Sequence, residues 1–173
     1  MKLLVVGYGR HGKDTVCDIL ERDYNLTFSS SSLFCAERFI FEALREEHGY
    51  ESVEQCYEDR HNHRKLWFDL ICEYNEEDAS LLGREIFEEF DIYCGLRNKR
   101  EFYALKNVQA YDYSIWVDRS EHCPPEPTRS MTIEPWMCDF WLDNNRGLKQ
   151  LEFNVEQLMT SLIAREVTAS FNF

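Results

Sequence analysis

The sequence lacks long apolar runs and has few positive charges for its number of negative ones. No stretch approaches the roughly 18 consecutive apolar residues of a membrane-spanning helix, so we expect no membrane partner. Lysine and arginine number 19 against 32 aspartates and glutamates, a net charge of −13. Such a chain repels polyanions, so we expect no nucleic-acid-binding surface, although a local positive pocket for one small phosphorylated ligand is compatible with the charge.

Paired cysteine motifs are absent as well. The seven cysteines are an odd number, and no two form a C-x-x-C pair. This disfavours a disulfide frame or a zinc ribbon and favours free thiols in a reducing cytoplasm. His61 and His63 with Cys56 have no second pair at metal spacing, which also disfavours zinc.

The chain does contain enough apolar material for one packed domain. Hydrophobic residues make up 44% of its 173 residues and aromatic residues 14%. At this length folding buries roughly 70% of the surface of the unfolded chain. We therefore expect a single domain over 1–173. Three of the four prolines fall within the polar segment 119–130, which predicts a loop there.

Short apolar runs alternate with segments of helical spacing. The runs predict strands near 3–6, 26–28, 91–96, 113–117 and 140–142. Apolar residues three and four apart predict helices between them and at the C-terminal end, whereas 48–63 is polar. Four serines at 29–32 are natural N-caps for the helix that follows. Strands alternating with helices predict an α/β fold with a mostly parallel sheet.

The strongest chemical signal is the segment 7–15, which reads G-Y-G-R-H-G-K-D-T. It matches G-x-x-x-x-G-K between a predicted strand and a predicted helix, the context of a phosphate-binding P-loop. Glycines let backbone N–H groups turn toward phosphate oxygens, and the helix N-terminus adds positive potential. Lys13 is placed to reach the β- and γ-phosphates of a nucleotide. We predict nucleotide binding by Gly7, Gly9, Arg10, His11, Gly12, Lys13, Asp14 and Thr15.

The residue after the P-loop lysine departs from the usual pattern. That position is normally serine or threonine, whose hydroxyl binds Mg²⁺, but here it is Asp14, followed by Thr15. Asp14 can hold the metal directly or through water, and Thr15 can contact a phosphate or serve as the second metal ligand. Asp91 and Asp118, beside predicted strands, are alternative Mg²⁺-orienting carboxylates.

Four landmarks, in order, make the chain resemble the P-loop nucleoside monophosphate kinases, and most nearly the small deoxynucleoside monophosphate kinases of bacteriophages. The P-loop is the first. The others are Gly95-Leu96-Arg97 with Glu101, the strand that ends in Asp118-Arg119 before a polar loop, and Leu142-Asp143-Asn144-Asn145-x-Gly147 before a terminal helix. The resemblance covers essentially the whole chain. Dephospho-coenzyme A kinases share this skeleton, so the skeleton leaves the acceptor open.

The resemblance implies a three-layer P-loop NTPase (nucleotide kinase) fold, a mostly parallel sheet flanked by helices. It implies ATP- and Mg²⁺-dependent transfer of the γ-phosphoryl group to a deoxynucleoside monophosphate. An acceptor-binding helical region would cover about 29–90 and a lid-like loop about 119–136. Small-molecule nucleotides would be the ligands, the protein would be a monomer or a homodimer, and a phage protein would work in the host cytoplasm.

Three residues are predicted to be catalytic: Lys13, Arg97 and Arg119. Arg97 follows a predicted strand, at the sheet edge where α/β folds bind ligands, and can grip an acceptor phosphate; the alternative is a surface ion pair with Glu101. Arg119 and Arg129 belong to the polar loop and can neutralise the transferring phosphate. Arg129 can equally be an ordinary solvated arginine.

Six further residues are candidates for binding the acceptor or the donor. Arg60 and Arg64 would share a helix face and clamp the acceptor phosphate, or merely start a solvated helix. Ser31 would approach the acceptor, or cap a helix, and Glu101 would bind the acceptor. Asn144 and Asn145 would contact the adenine end of the donor, or form a turn.

Two other functions stay open at this point. A P-loop kinase for another acceptor hydroxyl, such as a dephospho-coenzyme or a modified nucleoside, would need a deprotonating carboxylate, with Asp14 or Asp91 as candidates. A nucleotide-binding regulatory protein would bind ATP without acceptor-stimulated turnover.

Overall fold

The computed structural model describes residues 1–126 and 131–170. One five-stranded sheet runs in the order β2-β3-β1-β4-β5, and all its pairings are parallel. This confirms the mostly parallel sheet that the apolar runs predict. The second strand begins at Phe28 instead of Leu26. The strands are β1 (Leu3–Val6), β2 (Phe28–Ser30), β3 (Ile92–Cys94), β4 (Tyr113–Asp118) and β5 (Phe140–Asp143).

Strand β1 lies at the centre of the sheet. Leu3 is in register with Ile92 on one side and with Tyr113 on the other. Every residue of β1 is fully buried, because helices cover both faces of the sheet. A continuous apolar run is what such a strand requires. The parallel arrangement brings the carboxyl ends of β1, β3 and β4 to one edge, where ligands bind in open α/β sheets.

The helices complete the outer layers. A π-helical turn, Ala36–Ile40, joins the second helix to the third, and a short 3₁₀ helix, Pro135–Met137, precedes β5. The helices are α1 (Lys13–Tyr24), α2 (Ser31–Cys35), α3 (Phe41–His48), α4 (Val53–Asp59), α5 (Arg64–Tyr74), α6 (Leu81–Glu89), α7 (Lys99–Asn107) and α8 (Leu148–Ser170).

The two faces of the sheet bury separate clusters. Leu3 and Val5 pack with residues of α1 and α8, such as Leu20 and Val155. On the opposite face Leu4 packs into a larger cluster contributed by α2 to α7. Helix, sheet and helix therefore form three layers.

Helix α4 is a difference from the sequence prediction. The polar stretch contains a helix that Ser52 caps by accepting a hydrogen bond from the Gln55 N–H at 3.3 Å, and it ends before Arg60. Arg64 starts a separate helix, α5. The prediction that Arg60 and Arg64 share one helix face is therefore wrong.

Within 1–126 and 131–170, no helix combines the length and the apolar character that crossing a membrane requires. All seven cysteines are free thiols.

Candidate functional site

Residues 7–12 form a loop between β1 and α1, and residues 13–15 open α1, as predicted. Lys13 is the first residue of α1, and its Nζ donates to the Tyr8 carbonyl at 2.9 Å. The ammonium group therefore folds back over the loop. The free N–H groups at the start of α1 add positive potential to it. We call this loop the cradle, comprising residues 7–13.

Position 12 requires glycine for two reasons, its backbone conformation and the closeness of a neighbouring side chain. Its φ of 87° lies in the left-handed region, which a side chain rarely adopts. A Cβ atom there would also collide with the Asn144 side-chain amide. That amide donates to the His11 carbonyl at 2.8 Å, so buried Asn144 braces the cradle from the end of β5.

His11 anchors the cradle to the chain that follows β4. The imidazole is fully buried; its Nδ1 accepts from the Arg119 N–H at 2.9 Å, and its Nε2 donates to the Cys123 carbonyl at 3.2 Å. This pair of bonds selects the neutral ring with its proton on Nε2. The His11 side chain thus has a structural role. The backbone N–H of Arg119 contacts the cradle at His11, whereas the Arg119 side chain is exposed.

Glu126 is a residue that the sequence interpretation missed. One of its oxygens, Oε2, accepts from the cradle N–H of Gly9 at 2.9 Å and from Arg97 Nη1 at 2.6 Å. The partners are 117 and 29 residues away in sequence, so no local pattern could have revealed the contact. One N–H of the cradle and the Arg97 guanidinium thus bind a carboxylate oxygen.

The charges at the cradle perturb one another. Burial lowers the pKa of Lys13 and Arg97 lowers it further, whereas Cys94, Asp14 and Glu126 act in the opposite direction. Burial alone would raise the pKa of Glu126, but Arg97, the Gly9 N–H and Lys13 outweigh it, so the pKa is lowered. Glu126 is therefore held as an anion.

The metal candidates have unequal positions. Asp14, in the first turn of α1, accepts from the Cys94 thiol at 3.4 Å, which places it at the carboxyl end of β3; Thr15 is exposed. Asp91 lies at the other end of β3, where its carboxylate accepts from the N–H and hydroxyl of Thr27. The alternative that Asp91 orients Mg²⁺, or acts as a base, is therefore wrong.

The Asp118 carboxylate is occupied by hydrogen bonds within the protein. It ends β4 and accepts from the Ser120 hydroxyl and from the Asn145 amide. Asn145 also accepts from the Glu121 N–H at 3.0 Å. In the part of the chain that the structure describes, no group of three or more His, Cys, Asp and Glu side chains is placed to hold a metal. A metal held by one carboxylate together with ligand phosphates remains the arrangement typical of Mg²⁺.

A cavity of about 110 Å³ opens at the carboxyl end of β3, and Arg97 in its wall is linked to the cradle through Glu126. Three predicted acceptor residues line it: Ser31, Arg97 and Glu101. Ser30, not Ser31, caps α2, by accepting from the Leu33 N–H at 3.2 Å. Arg100, which sequence reasoning missed, also lines the cavity; its spacing of three residues from Arg97 near the start of α7 was the available signal. The other walls include Phe68, Ile71, Asn75 and Leu82.

Glu101 is a buried carboxyl in the wall of this cavity. It is only 5% exposed and accepts from the Tyr93 hydroxyl at 2.9 Å. Burial raises the pKa of Glu101 to about 8, and the bond from Tyr93 offsets this only partly. The alternative of a surface ion pair between Arg97 and Glu101 is wrong, because Glu101 is not at the surface.

We expect the stability of the protein to fall as pH rises toward 8, in part because of Glu101. In the unfolded chain this carboxyl loses its proton near its ordinary pKa, whereas the folded chain keeps the proton until about pH 8. Between these values stability falls by up to about 1.4 kcal/mol per pH unit. Glu101→Gln, which copies the protonated form, should flatten this slope in thermal or urea unfolding followed between pH 5 and 8.

A matched control is Glu85→Gln. Glu85 also accepts from a tyrosine, Tyr74, at 2.6 Å, but its side chain is 24% exposed. This variant should keep the wild-type slope. An unchanged slope in Glu101→Gln would contradict the assignment of a protonated Glu101.

Other predicted acceptor residues lie elsewhere. The Arg60 guanidinium stacks on the Tyr57 ring at 3.7 Å, and Arg64 contacts His61 at 3.3 Å. Neither arginine is among the residues that line the cavity. The structure thus does not bring the predicted Arg60 and Arg64 clamp to Arg97. Arg129 lies outside the described residues.

Two solved structures are similar to this chain over nearly its whole length. A shikimate kinase from Aquifex aeolicus vf5 is 17% identical with a TM-score of 0.51, and the match covers 96% of this chain and 99% of that one. A shikimate kinase from Bacteroides thetaiotaomicron is 13% identical with a TM-score of 0.51, covering 94% and 98%. The likeness confirms the P-loop kinase fold. No family model and no curated protein sequence matches the chain.

Proposed function

We propose that this chain transfers the γ-phosphoryl group of ATP to the phosphate of a deoxynucleoside monophosphate. The observation that carries the proposal is the position of Arg97. It lines the cavity, and its guanidinium also reaches the anion that the cradle holds. A donor phosphate in the cradle and an acceptor phosphate at the mouth of the cavity would therefore meet beside one guanidinium.

The cradle residues fit a nucleoside triphosphate. The Gly9 N–H already binds a carboxylate oxygen, and Lys13 supplies positive charge at the start of α1. Asp14 and Thr15 would hold Mg²⁺ together with the phosphates, and the metal would neutralise charge on the transferring group. Arg119, exposed beside the cradle, is free to approach the same group from the side of β4. Such a reaction needs positioning and charge neutralisation more than covalent chemistry.

The cavity suits the remainder of the acceptor. Phe68, Ile71 and Leu82 offer an apolar surface for a flat ring, and Arg100 and Asn75 offer polar groups at its edge. Arg97 and Arg100 give the cavity positive charge in a chain whose net charge is −13. This favours an anionic acceptor. A phosphate acceptor is already ionised, so it requires no general base.

A second candidate is transfer to a hydroxyl group of a small anionic acceptor. The small volume of the cavity, about 110 Å³, favours it. The two solved neighbours are named for shikimate, which supplies one acceptor to try. This reaction needs a base to accept the hydroxyl proton. Asp14 is the candidate, because it is the carboxylate at the junction of the cradle and β3.

An acceptor panel tests the proposal. We expect the purified protein with ATP and Mg²⁺ to convert at least one deoxynucleoside monophosphate to its diphosphate, measured by chromatography of the products. Shikimate and dephospho-coenzyme A, added in parallel, should give no acceptor-stimulated consumption of ATP. Turnover of a hydroxyl acceptor alone would favour the second candidate. ATP binding without turnover of any acceptor would contradict both and favour a nucleotide-binding regulatory protein.

A further inference from the structure

The Glu126 carboxylate lies where a phosphate of the donor would bind. Its Oε2 receives one backbone N–H from the cradle and one guanidinium N–H, at 2.9 and 2.6 Å. Backbone N–H groups of a glycine-rich loop and an arginine are the groups that proteins use to bind phosphate oxygens. The Glu126 side chain is only 17% exposed, whereas that of Arg97 is 43% exposed. Solvent therefore weakens the ion pair with Arg97 more than the bond from the Gly9 N–H.

We propose that Glu126 is a built-in competitor of the donor phosphates, which must displace its carboxylate from the cradle before ATP can bind. The proposal rests on the proposed function in that it takes the cradle to be the site of the donor phosphates. It adds a regulatory device at that site, contributed by a residue outside the P-loop motif.

The physical basis is exclusion between like charges. The carboxylate and a donor phosphate would both require the Gly9 N–H, and two anions cannot share that position without strong repulsion. Lys13 and Arg97 stabilise the carboxylate, and Lys13 would stabilise a donor phosphate in the same position. Because the carboxylate is part of the chain, its local concentration at the cradle is high. Part of the binding free energy of ATP is therefore used to displace it.

Displacement also affects the acceptor side. Arg97 donates to Glu126 while the carboxylate is in place. Once Glu126 leaves, a phosphate in the cavity no longer competes with the carboxylate for that N–H group. Donor binding should therefore favour acceptor binding, and by thermodynamic linkage acceptor binding should favour donor binding equally.

The test is equilibrium binding of ATP and of inorganic triphosphate, each with and without Mg²⁺, by titration calorimetry. Glu126→Gln keeps the shape of the side chain and removes its charge. A neutral amide accepts the two hydrogen bonds more weakly than a carboxylate. We expect Glu126→Gln to bind both probes about 10-fold more tightly than the wild type.

The matched control is Glu89→Gln. Glu89 is likewise a glutamate paired with an arginine, Arg38 at 3.2 Å, but it ends α6 away from the cradle. This variant also removes one negative charge, and it should bind both probes within about 2-fold of the wild type. Unfolding temperatures of all variants check that the fold is kept.

The possible outcomes separate this inference from the proposed function. If Glu126→Gln binds the probes no more tightly than the wild type, Glu126 does not compete with the donor phosphates and the inference is overturned. If the wild type nevertheless binds them and Lys13→Ala does not, the donor site itself is supported. If Glu126→Gln binds the probes more weakly than the wild type only when Mg²⁺ is present, the inference is also overturned, because Glu126 would then be a metal ligand. Failure of both the wild type and Glu126→Gln to bind either probe overturns the donor site as well. Binding by Glu126→Gln where the wild type binds poorly supports the competitor most strongly.

Discussion

Replacing Lys13 by alanine should lower the rate of phosphoryl transfer at least about 100-fold. The ammonium group lies at the start of α1, over the loop that would hold the phosphates, and it is the cationic side chain that the P-loop itself contributes there. Removing it leaves the developing charge on the transferring group without that stabilisation. The measurement is the initial rate with ATP, Mg²⁺ and the monophosphate that the acceptor panel identifies.

Two comparisons make this result specific. The Lys13→Ala variant should unfold at nearly the wild-type temperature, because within the described residues the side chain loses one hydrogen bond, to the Tyr8 carbonyl. Lys106→Ala is the control. Lys106 lies in the last turn of α7, remote from the cradle, and its ammonium group is 3.8 Å from the Asp139 carboxylate. That variant should keep wild-type activity. Undiminished activity in Lys13→Ala would refute the assigned role of Lys13.

The sheet and the cradle could be predicted because their signals are local. A parallel strand buried on both faces must be a continuous apolar run, and 3–6 is one. The P-loop requires glycines at fixed positions before a helix, since Gly12 has both a positive φ and no room for a side chain. Both signals can be read within fifteen residues of sequence.

Helix α4 was missed because its apolar face is minimal. Among its residues only Cys56 is buried, so hydrophobic periodicity gives almost no signal. The Ser52 cap was the available indication, and it is a weak one. The missed helix affects the predicted acceptor site. Because α4 ends before Arg60, that arginine is not on the same helix as Arg64, and the predicted clamp does not form.

The site residues divide along the same line. The location of Arg97 at the carboxyl end of β3 could be predicted, because it follows an apolar run in the sequence. Asp91 directly precedes the same strand, and the rule that ligands bind at carboxyl ends argues against it from position alone. Glu126 reaches the cradle across more than a hundred residues, and such a pairing depends on tertiary structure.

Replacing Arg97 by alanine should lower kcat/KM for the acceptor about 100-fold without weakening ATP binding. Charge-assisted hydrogen bonds are worth about 1.5–3 kcal/mol, and Arg97 would make them to the acceptor phosphate in the ground state and the transition state. Donor binding should hold or improve, because Glu126 loses the guanidinium that retains it in the cradle. Initial rates at varied acceptor concentration, together with ATP titrations, separate these effects.

Arg84→Ala is a closely matched control. The Arg84 side chain is 45% exposed and pairs with Asp78 at 2.6 Å, while that of Arg97 is 43% exposed and pairs with Glu126 at 2.6 Å. Exposed pairs of this kind contribute at most about 1 kcal/mol to stability, so both variants should fold normally. Only Arg97→Ala should lose activity, and Arg97→Lys should recover only part of it, because an ammonium group cannot form the two-pronged contact. A loss of ATP affinity in Arg97→Ala with unchanged use of the acceptor would assign Arg97 to the donor phosphates and remove the basis for the acceptor site.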